Sequence, residues 1–212
     1  MSNSAERPQH PPDSETDPFG GDDILPIETQ RRAHQFLTQE TRYHIIQAVL
    51  GHPQQLVTLD EFEYLVPKNR STIREHLDRL ANKQVMAKYI YRGDGADPTD
   101  PRKFWGLTSY GISLLDEYGY LRYVAVLRAL QENLYLTDKI ERHQNALRPD
   151  LPEDVSEALE MPSLDDDTVT LIDDVLAGRH HSGSRLFDAP PIEPDDDVTT
   201  DDGARRPLDE LF

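Results

Sequence analysis

The stretch from Thr58 to Gly111 constrains the fold more than any other part of this 212-residue chain. It opens with Thr58-Leu59-Asp60-Glu61. That order makes a capping box: the threonine hydroxyl accepts from the third helical amide and the glutamate reaches back to the cap amide. A short helix from Leu59 to about Leu65 is expected. Pro67 cannot continue it, and Asn69 is placed to cap a second helix, Asn69 to Ala81. At about 100° per residue, Ile73, Leu77 and Leu80 share one face of that helix, while Ser71, Thr72, Glu75 and Arg79 fall broadly on the other. Val85 to Tyr91, rich in aromatic and branched residues, reads as a strand, as does Lys103 to Leu107. The turn-rich Gly93 to Pro101 joins them in a hairpin whose loop is longer than the usual two to five residues. Thr108 caps a further helix with Ile112, Leu114 and Leu115, interrupted at Gly119.

Helix, turn, helix and long-looped hairpin make a mainly α fold with a small β-hairpin, a winged helix-turn-helix, which serves chiefly to lay one helix in the DNA major groove. Upstream, the apolar positions Phe36, Leu37, Tyr43, Ile45, Ile46, Val49 and Leu50 recur at helical spacing. Thr38 is the expected cap there, and Gly51 with Pro53 the stop. Downstream, a longer helical segment runs from Tyr120 to Leu147, with Tyr120, Tyr123, Leu127, Leu130 and Leu134 at three-four spacing and Pro149 to end it. Such a stripe suits dimerisation through a C-terminal helix, or packing back on its own domain. The expected boundaries are an acidic tail over 1–30, the winged domain over 31–118, the dimerisation helix over 119–148 and a second acidic tail over 149–212. The tails are too poor in apolar residues to offset the entropy of ordering and are expected to be disordered.

Charge follows the same division. Residues 31–148 hold 17 Lys and Arg against 14 Asp and Glu, a net of +3, whereas residues 1–30 carry −6 and residues 149–212 carry −15. The net charge of −18 therefore belongs to the ends. Only five of the 22 basic residues are lysine and 25 of the 40 acidic ones are aspartate, a bias seen in salt-loving archaea. It implies a high-salt cytoplasm, where self-repulsion is screened because the Debye length falls to about 3 Å at 1 M salt. The absence of cysteine excludes disulfides, thiolate metal sites and cysteine nucleophiles. Neither a secretory leader nor a run of some 18 apolar residues is present, so a cytoplasmic protein without membrane contact is expected.

The Asn69 to Ala81 helix presents the candidate DNA-reading set. Arg70, Ser71, Thr72, Arg74 and Arg79, with Asn69 and Glu75 beside them, face bases or backbone, and Lys68, Arg92, Arg102 and Lys103 position the duplex. Arginine pairs bidentately with guanine, and Ser or Thr suits either a phosphate or a base. Solvated helix faces look similar in many proteins. The distinguishing feature is the whole run: Ser71-Thr72-Ile73-Arg74-Glu75-His76-Leu77-Asp78-Arg79-Leu80, Val85, then Phe104-Trp105-Gly106-Leu107-Thr108 with Gly111.

That run resembles the recognition helix, wing and closing Leu-Thr-x-x-Gly of ArsR/MarR-type winged-helix regulators, haloarchaeal ones with acidic flanks in particular, over roughly residues 38–135. The resemblance implies a homodimeric transcriptional regulator, a repressor by expectation, bound to double-stranded DNA. Such regulators often have glycine where Gln84 stands, which makes Asn82 the expected left-handed residue ending the recognition helix. Asp94, Asp97 and Asp100 at the wing tip repel phosphates and leave Arg92, Arg102 and Lys103 at its base as contacts. At molar salt, phosphate contacts weaken with a slope of about −0.9 each in log salt, so base-edge hydrogen bonds and shape must carry recognition.

His34, His44, His52, His76 and the pair His180-His181 show no ligand spacing on one helix face, so no metal is expected; no motif for another cofactor or a small-molecule ligand is identified. His76 reads as structural or as a phosphate contact. No acid/base constellation, phosphate loop or nucleophile motif is present, so the chain does not read as an enzyme. The acidic ends admit three roles: solubility in brine, competition with DNA, or docking of a partner. Leu208, Leu211 and Phe212 resemble the hydrophobic hook by which replication proteins grip the sliding clamp, with Arg205 where its glutamine would stand. A second functional reading is a winged-helix module that docks a partner protein in replication or transcription machinery, since fold alone does not fix function.

Overall fold

The computed structural model describes residues 17–21, 24–94, 97–160 and 169–170. The apolar cluster Leu171, Ile172, Val175 and Leu176, the His180-His181 pair and the terminal Leu208, Leu211 and Phe212 lie outside the described residues. The elements are α1 (Pro26–Leu37), α2 (Glu40–Gly51), α3 (Leu59–Leu65), α4 (Arg70–Asn82), β1 (Met86–Ile90), β2 (Lys103–Leu107), α5 (Ser109–Glu117), a 3-10 turn (Tyr120–Tyr123), α6 (Val124–Glu132), α7 (Asp138–Asn145) and α8 (Glu153–Ala158).

Local signals set the middle of the chain. Thr58 caps α3 through the full capping box: Glu61 N–H donates to the Thr58 hydroxyl (3.2 Å) and Thr58 N–H to Glu61 Oε2 (2.6 Å). Asn69 caps α4, its Oδ1 accepting from Thr72 N–H at 2.9 Å. β1 and β2 pair antiparallel with Met86 opposite Leu107, and Val57 adds a single bridge to Trp105, so the sheet edge next to α3 is held by backbone hydrogen bonds.

The end of α4 corrects one expectation. Val85 N–H donates to Leu80 O (3.0 Å) and Gln84 N–H to Ala81 O (2.9 Å), the paired bonds of a Schellman turn. Gln84 itself takes the left-handed conformation, with φ of 57°, and Asn82 stays helical. The turn must redirect the chain where Val85 becomes buried against α4, and that position is one residue before Val85 whatever residue type occupies it. Thr108 then caps α5, accepting from Gly111 N–H at 2.9 Å. A Cβ on Gly111 would overlap the Val85 carbonyl, so Leu-Thr-x-x-Gly packs the first turn of α5 onto the exit of α4.

The ends of the domain differ from the reading. α1 occupies a stretch that the composition assigned partly to the tail, and Thr38 ends it instead of starting α2, its hydroxyl donating to His34 O at 2.8 Å. Gln39 caps α2, its side chain accepting from Arg42 N–H at 3.1 Å. α1 buries only Ala33 and Leu37, one turn apart, too sparse a stripe to stand out among polar residues. Before it, Phe19 is buried beside Phe36, and Lys83 beyond α4 donates to Pro18 O at 2.6 Å. Past Pro149 the chain is not uniformly tail: Val155 and Leu159 around α8 are fully buried.

The expected long C-terminal helix is broken. α6 ends at Glu132, with Asn133 as its C-cap, and Thr137 caps α7. Within the stripe chosen for dimerisation, Leu127 is buried, Tyr120, Leu130 and Leu134 are half-buried, and Tyr123 is exposed. α6 crosses α2 closely enough that Gly51 abuts the Leu127 carbonyl and Gln131, whose amide donates to Ala48 O at 2.8 Å. The stripe thus packs largely on its own domain.

One core joins these parts. Ile45, Ile46, Val49 and Leu50 of α2, Phe62 of α3, Ile73, Leu77 and Leu80 of α4, and Leu107 and Leu115 are sealed from solvent. Each side chain of this size contributes about 1.5–3 kcal/mol relative to exposure. The three aliphatic anchors of α4 fix which way its polar face points.

Candidate nucleic-acid interface

With Ile73, Leu77 and Leu80 inward, Ser71, Arg74, Glu75, Asp78 and Arg79 of α4 are exposed and Thr72 is half-buried. His76 belongs to the inner side: it is buried, and Arg42 NH1 approaches its Nδ1 at 3.5 Å while Arg42 Nε donates to Phe36 O at 2.7 Å. Burial, with the charges of Arg42 and Arg79, lowers the His76 pKa, so this ring is a neutral structural group.

Three cations on and before α4 already hold carboxylate partners. Arg70 NH1 donates to Asp60 Oδ1 (3.1 Å) and to Glu63 Oε2 (2.7 Å), both on α3, and these bonds raise its pKa. Lys68 pairs with Glu40 at 3.1 Å and Arg79 with Glu75 at 2.5 Å. The Ser71 hydroxyl donates to the Asn69 cap at 2.7 Å. Arg74 is exposed with no ion pair among the described residues, which makes it the cation on α4 with its donors open to a ligand. Exposed pairs of this kind contribute about 0–1 kcal/mol each, little enough that a phosphate can displace the carboxylate.

In the wing, Arg102 and Lys103 are exposed at the base of β2, and Arg92 is exposed after β1. Asp97 folds the described part of the tip on itself, accepting from Thr99 N–H at 2.8 Å, and its carboxyl is held below the usual range mainly by the Thr99 side chain. Lys88, absent from the sequence-derived set, projects from β1 over the Trp105 ring at 4.9 Å. Lys139 of α7 also escaped that set: its ammonium reaches Asp60 Oδ1 at 2.6 Å across 79 residues of sequence, a separation no local pattern spans. Among the described residues no group of His, Asp and Glu has the convergence needed to hold a metal ion. No described helix is long and apolar enough to cross a membrane.

No family model and no curated protein matches the chain. It is similar to the solved structure of a protein with a GntR-superfamily winged-helix-turn-helix domain from Halomicrobium mukohataei, with 25% sequence identity and a TM-score of 0.57, over 66% of this chain and 97% of that one. That likeness is to a GntR-superfamily domain and does not extend to the ArsR/MarR subtype. The architecture described above is therefore that of a winged helix-turn-helix.

Proposed function

We propose that this protein is a sequence-specific DNA-binding transcriptional regulator that inserts α4 into the major groove. The observation that carries this reading is the outward ridge of α4, on which Arg74 is exposed with no ion pair among the described residues, mounted on three buried aliphatic anchors. Arg74 reads a base edge, Arg70, Arg79 and Lys68 hold phosphates after exchanging their carboxylate partners, and the exposed Arg102 and Lys103 hold phosphates at the base of the wing. The likeness to a haloarchaeal winged-helix-turn-helix protein and the aspartate-rich composition support a role in high salt. We propose further that it acts as a homodimeric repressor, with two α4 helices about one DNA turn, roughly 34 Å, apart. Tyr123, which stands free of the core, belongs to the surface available for pairing.

The test is selection of binding sites from random duplex DNA in molar KCl, followed by Arg74→Ala on the enriched site. Loss of about 1–3 kcal/mol in affinity is expected if Arg74 reads a base. An unchanged footprint and affinity removes Arg74 from the reading set. The carboxylates that face the same surface, Asp60, Glu63 and Glu75, favour the competing reading of a protein-docking module. Failure to enrich any sequence would decide for that reading.

A further inference from the structure

We propose that α7 forms a second phosphate-binding edge of the DNA interface, with Lys139 and Arg142 gripping the duplex backbone beside the first turn of α4. This rests on the DNA-binding reading above and extends its footprint to an element outside the winged helix-turn-helix.

The argument starts from how α7 is seated. Ile140 is buried beneath it, and His143 Nδ1 meets the hydroxyl of Thr58, the cap of α3, at 3.1 Å. Immediately after it, Arg148 NH2 donates to Glu61 Oε1 at 3.0 Å, also in the first turn of α3. α7 is thereby fixed on the N-terminal end of α3, the helix that carries the acidic partners of Arg70. Lys139 and Arg142, three residues apart and so on one side of α7, are both exposed.

Asp60 joins the two elements. A single carboxylate oxygen accepts from Lys139 Nζ at 2.6 Å and from Arg70 NH1 at 3.1 Å, which places a cation of α7 against the cation that opens α4. An ammonium has three donors and a guanidinium five. Lys139 gives one to Asp60, and Arg70 gives NH1 to Asp60 and Glu63, so each keeps further N–H groups for a second acceptor. Although burial pushes the Asp60 carboxyl up, Lys139 and Arg70 bring it down to about 2. It stays ionised and works as an orienting group between two cations. One turn further along α7, Arg142 is exposed, and its charge helps to keep the Asp97 carboxyl of the wing low. The exposed side of α7 therefore sets Lys139 beside the cation that opens α4, with Arg142 one turn on, and a phosphate backbone is the anion that matches these neighbouring cations.

Binding of a short random-sequence duplex, followed by fluorescence anisotropy across a KCl series, tests this. The proteins are the full chain and its Lys139→Gln, Arg142→Gln, double and Lys139→Arg variants. The slope of log affinity against log salt is expected to fall by about 0.9 for each lost contact and about 1.8 for the double variant, with Lys139→Arg restoring it. A double variant that folds and keeps the parent slope and affinity overturns the proposal. So does one that binds more tightly, since α7 then shields the site. If the unmodified chain binds no duplex at any salt, the DNA-binding reading itself fails and this inference with it.

Discussion

Gln84 and Gly111 lie on either side of Val85, the residue that follows the turn out of α4: Gln84 precedes it in a left-handed conformation, and Gly111 of α5 packs on its carbonyl. Gln84 holds φ of 57°, a conformation that costs a residue with a Cβ about 1–2 kcal/mol. Its backbone carbonyl accepts from the Thr108 hydroxyl, so the strained residue is tied to the cap of α5. Glycine there relieves the strain but adds freedom to the unfolded chain worth about 0.4–1 kcal/mol. Gln84→Gly is therefore expected to stabilise the fold by about 0.5–1 kcal/mol, measured as a higher urea midpoint. A lower midpoint would mean that the Gln84 side chain contributes more than its backbone costs. Gly111→Ala acts in the opposite direction. The added methyl meets the Val85 backbone, which cannot swing aside as a flexible side chain could. A loss of about 1–3 kcal/mol is expected in the same experiment, and a variant as stable as the parent would show that α5 can shift away from Val85 at no cost.

At the scale of elements, the buried group around Glu61 couples α3 to the chain that follows α7. Glu61 Oε1 lies 3.2 Å from His52 Nε2 and accepts from Arg148 NH2 at 3.0 Å, while Arg148 also donates to the carbonyls of Leu56, His143, Gln144 and Ala146. Gln54 N–H donates to His52 Nδ1 at 3.1 Å, so the ring proton sits on Nε2 and points at Glu61. Burial lowers the His52 pKa from its ordinary 6.5. For Glu61, burial acts upward, but the His52 hydrogen bond, the Arg148 charge and the Thr58 amide leave the carboxyl below its ordinary 4.5. Both groups take up protons more readily in the unfolded chain, so stability falls as pH drops, first below about 6.5 through His52 and then below about 4.5 through Glu61. His44 and His76, also lowered by burial, act in the same direction as His52. Urea midpoints measured from pH 8 to pH 5 should decline below 6.5, and His52→Gln should make that decline shallower. A decline of unchanged steepness in the variant would assign it to the other histidines. The sequence exposed one half of this arrangement and concealed the other. The capping box, the Asn69 cap and the anchors of α4 are local patterns with fixed spacing, legible because the physics that sets them spans one or two turns. Arg148 reaching Glu61 and Lys139 reaching Asp60 depend on how distant segments pack, and α1 and α8 bury only two residues or so each, leaving no periodic stripe to read.

For the whole molecule the deciding quantity is the separation of charge along the chain. Residues 161–212 hold 14 acidic and 4 basic residues, a net of −10, attached to a winged domain whose proposed ligand is itself a polyanion. Electrostatics alone sets the sign of the effect: that segment lowers the local attraction for any duplex, whatever its sequence. The effect depends on range. At about 0.1 M salt the Debye length is about 10 Å and the segment's charge is felt over much of the domain, whereas at 1 M it is about 3 Å and only groups in near contact interact. A chain ending at Glu160 keeps Val155 and Leu159, and with them the buried face of α8, so the comparison changes charge while sparing the described core. We expect that shortened chain to bind random duplex more tightly than the full chain at 0.1 M KCl, with the two curves converging toward 1 M. Affinity for a selected site in molar salt should be nearly equal for both, because the base-edge hydrogen bonds proposed for Arg74 would be insensitive to a distant screened charge. Equal binding at low salt would show that the acidic segment is held away from the duplex. A difference that persisted at 1 M would point to direct occupation of the α4 face, which screening does not abolish at contact distance.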